Sequence, residues 1–324
     1  MISRRKLILA LGASGLASPT LSFAQQTART ARIGILGAGS LSGFAPMVEA
    51  LRAGLRDLGY VEGKNLVIES RWAEGNYDNL TKLAGELIAA KVDVIVTHAT
   101  PGARAAMRAT SSVPIVVASI GDAVAAGVVA DLARPGGNVT GLSFFSTEIA
   151  IKRLELLTEL LPRTSSINLL YQQYMSTALD QIDDAARAKK VTVHRIFTNT
   201  PGDMQAAIAG IAQKRSGPIL IVETPILIAH AKTIGESLVK HKVPAIGFKE
   251  IAEAGGLMSY GADLADMWRR SATYIDKIMK GAAPGSIPIE QATKFEFVIN
   301  MKSAGALGIK IPQSILVRAD RVIE

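Results

Sequence analysis

Val92-Asp93-Val94-Ile95-Val96 is a short apolar run, and Pro218-Ile219-Leu220-Ile221-Val222 repeats it in the second half of the chain. Each run is followed by a polar turn, a helical stretch and another apolar run, which begins near Ser112 in the first copy and Lys242 in the second. Strands joined by a connection as long as a helix lie parallel in one sheet, since an antiparallel hairpin needs only a short turn. The repeat therefore predicts two similar lobes with a cleft between them.

Further strands of the same kind flank each copy of the repeat. In the first half of the chain they are predicted at 32–36, 65–69, 92–96, 112–117 and 139–144. In the second half they are predicted at 167–171, 192–197, 219–222, 245–247 and 257–260. The periodicity also predicts helices between strands, among them a short one at 124–133, and an edge-like strand at 294–300.

This order of elements predicts an α/β fold of two doubly wound parallel-sheet lobes joined by a hinge. We expect lobe 1 to comprise 31–143 and 265–289, and lobe 2 to comprise 144–264 and 290–324. The chain would then cross between the lobes near 141–146, 260–264 and 288–292. A length of 324 residues is enough for two domains of ordinary size.

The composition is that of a globular protein, with 48% hydrophobic and 20% charged residues. Of the formal net charge of +8, three positive charges lie in the first six residues, which leaves about +5 for the rest. Those remaining basic residues are mixed with acidic ones on amphipathic helices, so we expect no nucleic-acid binding. Cysteine is absent, which excludes disulfides, thiolate catalysis and the lipid attachment of a lipoprotein.

The N-terminus has the features of a cleaved export signal at residues 1–24. Arg4-Arg5-Lys6 precede an apolar stretch that ends before Pro19, and Ser22-Phe23-Ala24 is a small-x-small cleavage site. The apolar stretch is shorter than the roughly 20 residues that a membrane-spanning helix needs. We therefore expect a soluble periplasmic protein. The paired arginines fit a twin-arginine signal, and the general secretory route stays open as the alternative.

A glycine-rich loop, Gly37-Ala38-Gly39-Ser40-Leu41-Ser42-Gly43, lies between the first strand and the first helix. In this position glycines allow close approach of a phosphate to a helix N-terminus, as in dinucleotide-binding proteins. The third glycine is one place late, and the acidic residue near the end of the second strand, Glu69, is somewhat far along the chain for a ribose contact. A periplasmic NAD(P)-dependent oxidoreductase with a degenerate loop is therefore the alternative function.

Motifs for other chemistry are missing from the sequence. The four histidines have no metal-ligand spacing, and no G-x-S-x-G motif occurs. His98 follows the third strand at the cleft end of lobe 1, where a loop or packing role and a role as a base are both open. We predict no catalytic residue, no metal and no cofactor.

In open parallel sheets, ligands bind outside the carboxyl ends of the strands. Hydroxyl groups and helix N-terminal amides there suit a carboxylate, Asp122 or Glu223 suits an ammonium group, and Tyr171 could cover an aromatic group. For each residue alone, capping of a helix is an equally good explanation. The predicted ligand-binding residues are Ser40, Leu41, Thr100, Pro101, Ser119, Gly121, Asp122, Tyr171, Gln172, Glu223, Thr224, Phe248 and Lys249.

Several longer stretches resemble one family. The stretches are Leu58–Asn65, Arg71–Gly75, Leu132–Gly141, Ala252–Gly261 and Thr293–Asn300. They are similar to the ABC transporter substrate-binding proteins that include tryptophan- and tyrosine-binding members. The resemblance implies a type I periplasmic binding fold with three crossovers. Lobe 1 keeps the family pattern, whereas Tyr171-Gln172-Gln173 and Glu223-Thr224-Pro225 in lobe 2 depart from it.

The predicted function is therefore that of an exported, non-enzymatic solute-binding protein of an ABC importer. It would capture a small polar or zwitterionic ligand, such as an amino acid or aromatic acid, by hinge closure. Its partners would be that small-molecule solute and an ABC permease in the inner membrane, with the protein itself a monomer. A sensor role that uses the same closure stays open.

Overall fold

The strands of the chain fall into two sheets in the computed structural model, which describes residues 30–172 and 176–324. Within these residues, sheet A consists of β1 (Ala31–Gly37), β2 (Leu66–Trp72), β3 (Val94–His98), β4 (Ile115–Ile120), β5 (Val139–Ser143) and β11 (Glu290–Gln291). Its order is β11-β5-β4-β3-β1-β2, and all its pairs are parallel. The parallel repeat that the sequence predicts is confirmed.

Sheet B consists of β6 (Ser166–Tyr171), β7 (Thr192–Phe197), β8 (Ile219–Ile221), β9 (Ala245–Gly247), β10 (Met258–Ala262), β12 (Phe295–Asn300) and β13 (Arg321–Ile323). Its order is β13-β12-β10-β9-β8-β6-β7, and only the β10–β12 pair is antiparallel. The expectation of an edge strand at 294–300 is wrong, because the C-terminal strand β13 pairs with β12 and covers it.

The helices that pack against sheet A are α2 (Leu80–Ala89), α3 (Ala99–Ala109) and α10 (Leu264–Met279), and α1 (Leu41–Asp57) packs mainly against α10. Those associated with sheet B are α4 (Ser146–Leu160), α5 (Ser176–Ala188), α6 (Pro201–Lys214), α7 (Pro225–Ala229), α8 (Ala231–His241), α9 (Lys249–Glu253), α11 (Met301–Leu307) and α12 (Gln313–Leu316). Helix α1 contacts both α10 and α7. One cluster of buried apolar side chains runs through both sheets, so their cores are continuous.

The predicted helix at 124–133 is wrong. The Oδ1 atom of Asp122 accepts hydrogen bonds from the amides of Val124 and Ala125 at 3.0 and 2.9 Å, which closes a tight turn. Gly127 then has a φ of 62°, in the left-handed region that ends helical geometry. The segment that follows β4 is therefore built of turns and bends as far as β5.

The polar turn predicted after the third strand is also wrong. The strand continues through His98, and α3 begins at the very next residue. Ala99 makes this possible because its φ of 57° reverses the chain direction within one residue. A non-glycine residue in the left-handed region costs about 1–3 kcal/mol, which the surrounding packing must offset.

Candidate ligand-binding site

A cavity of about 380 Å³ lies at the carboxyl ends of β3, β4 and β5 of sheet A and of β8 of sheet B. This volume is within the range of pockets that bury small ligands. Its apolar wall contains Phe44, Phe144, Ile228 and Leu264, and Arg104 lies among its polar residues. Side chains associated with both sheets thus surround one space.

Six of the thirteen predicted ligand-binding residues line this cavity. They are Thr100, Ser119, Gly121, Asp122, Glu223 and Thr224. Ser119 lies near the end of β4 and the other five come after strands of the two copies of the repeat, which is where the sequence placed the cleft. The structure places the other seven outside the cavity wall; they are Ser40, Leu41, Pro101, Tyr171, Gln172, Phe248 and Lys249.

Ser40 and Lys249 are two of the seven that bind other parts of the protein. Ser40 caps α1 by accepting a hydrogen bond from the Gly43 amide at 3.1 Å, and Leu41 next to it is exposed. Phe248 and Lys249 line a separate, smaller cavity against α1, where the Lys249 ammonium pairs with Glu296 at 3.1 Å.

Tyr171 is the last residue of β6, and Gln172 directly after it lines a second cavity. The ring of Tyr171 packs edge-on against Phe197, with ring centroids 6.0 Å apart. The Gln172 Oε1 atom accepts a hydrogen bond from the Tyr77 hydroxyl at 2.9 Å. Tyr77 follows β2 of sheet A, so this bond joins elements of the two sheets.

Side chains from helices complete the cavity wall, and sequence reasoning did not select them. They are Phe44, Arg104, Ser146, Thr147, Gln181 and Leu264. Arg104 could have been found, because it lies four residues after Thr100 and therefore on the same face of α3. Its guanidinium is held by the Ala126 carbonyl, which accepts from Nε at 3.0 Å and from Nη2 at 2.7 Å.

His98 forms part of the cavity wall as a neutral ring. It is 2% exposed, and its Nε2 accepts a hydrogen bond from the Ala38 amide at 3.1 Å, which assigns the ring proton to Nδ1. The ring packs against Phe44 and Trp268, with centroids 4.2 and 5.6 Å away. Burial lowers the pKa of His98 to about 3, so the structure supports the packing role and not that of a base.

We expect His98 to make folding stability depend on pH in the acid range. Below pH 6.5 the unfolded chain takes up a proton at His98, whereas the folded chain does not until about pH 3. The free energy of unfolding therefore decreases as the pH is lowered from 6.5 to about 3. From pH 7 to pH 4.5 this amounts to about 2–3 kcal/mol. The His98→Gln variant keeps an acceptor for the Ala38 amide but does not titrate. Urea unfolding of both proteins at the two pH values should show the smaller pH dependence in the variant; an equal dependence would contradict this expectation.

The start of α3 offers free backbone donors to the cavity. His98 occupies the N-cap position, and its side chain makes no capping bond. The first amide groups of a helix lack intrahelical partners and carry partial positive charge, so they favour an anion. Ala99 and Thr100 both line the cavity at this point, with Arg104 one turn further along.

Glu223 brings negative charge to the opposite wall. Its Oε2 accepts a hydrogen bond from Arg153 Nη1 at 2.8 Å, and its Oε1 accepts from Nη2 of the same guanidinium. The side chains of Arg153 and Glu223 are 0% and 5% exposed. The Arg104 guanidinium and the Glu223 carboxylate therefore bring opposite charges to the wall of one small cavity.

The glycine-rich loop packs against the backbone of α7. A Cβ atom on Gly39 would lie 2.9 Å from the Pro225 carbonyl oxygen, and one on Gly43 would lie 2.5 Å from Ala229 Cα. These short distances explain why glycine is needed at positions 39 and 43, where α7 comes close to the loop. They also place α7 where a dinucleotide pyrophosphate would have to approach the loop.

The described part of the chain contains neither a candidate metal site nor a helix that could span a membrane. No group of three or more His, Asp or Glu side chains at 30–172 and 176–324 could hold a metal ion. Over the same residues, no helix is long and apolar enough to cross a membrane. The predicted export signal at residues 1–24 lies outside the described residues.

Known proteins with similar sequences and structures include amino-acid-binding members. A tyrosine-binding protein of Clostridioides difficile (strain R20291) is 29% identical over 262 residues, which cover 79% of this chain and 74% of the relative. A conserved domain protein of Vibrio cholerae has a TM-score of 0.84 and 29% identity, over 91% of this chain and 100% of that one. An ABC domain from Streptococcus pneumonia in complex with L-Trp has a TM-score of 0.81 and 28% identity, over 90% of this chain and 100% of that one.

The family profile described as ABC transporter substrate binding protein matches residues 33–323, nearly the whole described chain. The related proteins have the type I periplasmic binding fold, in agreement with the two parallel-dominated sheets. The chain belongs to the ABC transporter substrate binding protein family.

Proposed function

We propose that this protein captures an amino acid with an aromatic side chain for an ABC importer. The single observation that carries the proposal is one cavity of about 380 Å³ with groups of both charge signs and an apolar wall. A zwitterion has no net charge and needs a cationic and an anionic partner at once. Arg104 with the start of α3 suits its carboxylate, and Phe44 and Phe144 suit an aromatic ring.

We propose hinge closure as the mechanism, with lobe 1 at 31–143 and 265–289 and lobe 2 at 144–264 and 290–324. Contacts between elements of the two sheets support it: Gly43 packs on Ala229, and the Tyr77 hydroxyl donates to Gln172. A ligand that touches both lobes favours the closed arrangement by its extra affinity for that state. We also propose that the protein is exported through the signal at 1–24 and works as a monomer with an inner-membrane permease.

A binding screen tests the proposed function. The purified protein is first stripped of carried-over ligand by unfolding and refolding, then titrated calorimetrically with L-tyrosine, L-tryptophan, L-phenylalanine, L-glutamate and glucose. We expect at least one aromatic amino acid to bind. A ligand at 100 times its Kd stabilises the folded form by about 2.7 kcal/mol, so the melting temperature should rise with it. Glucose and L-glutamate are the negative controls; the absence of a response to all three aromatic amino acids would contradict the proposal.

A further inference from the structure

Arg153 is a fully buried cation whose donors are used inside the protein. Its Nε donates to the Tyr260 carbonyl at 2.7 Å, and its Nη1 donates to the Ile221 carbonyl at 2.9 Å as well as to Glu223. A buried charge is tolerated only when it is paired and its hydrogen-bonding groups are satisfied. Here that condition is met by one carboxylate and two carbonyls.

The pair is oriented with its acidic member toward the cavity. Glu223 lines the cavity and Arg153 does not. A carboxylate has about four lone-pair sites, so the two that the guanidinium takes leave about two for a ligand. Gly261 allows this arrangement, because a Cβ atom there would lie 2.9 Å from both Arg153 Nη2 and Glu223 Oε1.

Asp122, the other acidic residue of the cavity, is differently placed. It is exposed, and one of its oxygens closes the turn after β4 by accepting from two backbone amides. A solvated carboxylate contributes little to a charge interaction, whereas one that is nearly dry and rigidly held contributes more. The cavity therefore has one acidic group suited to recognising a ligand cation.

Resting on the proposed function, we propose that Glu223 binds the α-ammonium group of the ligand and that Arg153 is its positioning residue. The bidentate guanidinium holds the carboxylate in one orientation, so that its free lone pairs point to a fixed place. Because Arg153 also donates to carbonyls of β8 and β10, that place is fixed relative to sheet B. Discrimination between an amino acid and the same acid without its amine then depends on this pair.

The test compares ligands that differ only in the amine: L-tryptophan with indole-3-propionate, and L-tyrosine with 3-(4-hydroxyphenyl)propionate. Their Kd values are measured calorimetrically for the wild type, Glu223→Gln, Arg153→Lys and the double variant. Loss of a charge-assisted hydrogen bond should reduce the wild-type preference for the amino acid about 10- to 100-fold in Glu223→Gln. Arg153→Lys keeps the charge but lacks the planar fork, so we expect a smaller reduction and no further loss in the double variant.

Asp184→Asn removes an exposed carboxylate that does not line the cavity; it is the matched control and should leave the preference within about twofold. Asp122→Asn is measured beside it, because Asp122 is the other acidic residue of the cavity. Melting temperatures without ligand verify that each variant is folded, and the ratio of two affinities is insensitive to a general loss of stability. An unchanged ratio in Glu223→Gln, or a ratio that falls in Asp122→Asn instead, would overturn the assignment of Glu223 while the proposed function stands. If the wild type binds no amino acid, the proposed function fails and this inference with it.

Discussion

Replacing Arg153 by methionine is expected to lower the free energy of unfolding by about 3–5 kcal/mol, because the change leaves a buried charge without its partner. Glu223 is 5% exposed, and both its oxygens are bonded to the guanidinium. The two carbonyls that Arg153 now satisfies would also lose a donor. The loss in free energy of unfolding is measured by urea unfolding at pH 7. Two spectroscopic probes monitor the unfolding, and their coincidence confirms a single transition.

The double variant Arg153→Met/Glu223→Leu separates loss of the pair from exposure of an unpaired charge. When both members are replaced by apolar residues of similar size, the cost of burying charge disappears together with the attraction. We therefore expect the double variant to recover most of the stability lost in Arg153→Met. Arg187→Met is the control, because its ion pair with Asp184 is exposed and should contribute less than about 1 kcal/mol. A double variant less stable than Arg153→Met would contradict the explanation.

The Gly43→Val variant is expected to bind the ligand about 100-fold more weakly, which corresponds to about 2.7 kcal/mol. A Cβ atom on Gly43 would lie 2.5 Å from Ala229 Cα and 3.0 Å from its Cβ, and backbone cannot move aside as a flexible side chain can. Gly43 lies outside the wall of the 380 Å³ cavity, so the substitution acts on the contact between α1 and α7 and not on the ligand. In the proposed hinge closure, the bound state contains this contact. The free energy needed to accommodate the added side chain therefore makes the free energy of ligand binding less favourable.

Calorimetry and small-angle scattering together test this second prediction. In the wild type, addition of ligand should decrease the radius of gyration; in Gly43→Val the free protein should stay expanded until much higher ligand concentrations. Gly85→Ala in α2 is the control, since a Cβ atom there meets nothing within 4 Å and alanine suits a helix interior. Affinity of Gly43→Val within threefold of the wild type would mean that the α1–α7 contact is not part of the bound state.

The strands could be predicted from the sequence because each is a short apolar run bounded by turn residues. The parallel pairing of the strands in each copy of the repeat followed from the helices between them, and the structure confirms it. The incorrect predictions have two kinds of cause. The helix at 124–133 is excluded by the local turn at Asp122 and by Gly127, whereas the other two errors depend on how elements meet in the fold. The pairing of β13 with β12 and the single-residue reversal at Ala99 leave no periodic pattern in the chain.

The candidate site was predictable only where strands alone define it. Thr100, Ser119 and Glu223 were selected because parallel strands bring their carboxyl ends to one edge. Gln181 and Leu264 reach the same cavity from helices whose rotation about the sheet is set by packing, which the sequence does not display. Likewise, the glycines of the 37–43 loop indicated close approach, but nothing in their spacing identified α7 as what approaches them.

The amino-acid sequence by itself determined the class of the protein: an α/β fold of two parallel-sheet lobes and the family to which the chain belongs. It also predicted the strand ends at which we propose that a ligand binds. Periodicity and turn chemistry are local properties, and they suffice for that. Only the tertiary structure decided which charges face the cavity. Arg153 and Glu223 are 70 residues apart in the chain, and their pairing arises from the packing of α4 across β8 and β10. Burial then makes the pair significant, because a charge interaction weak in water becomes strong once water is excluded.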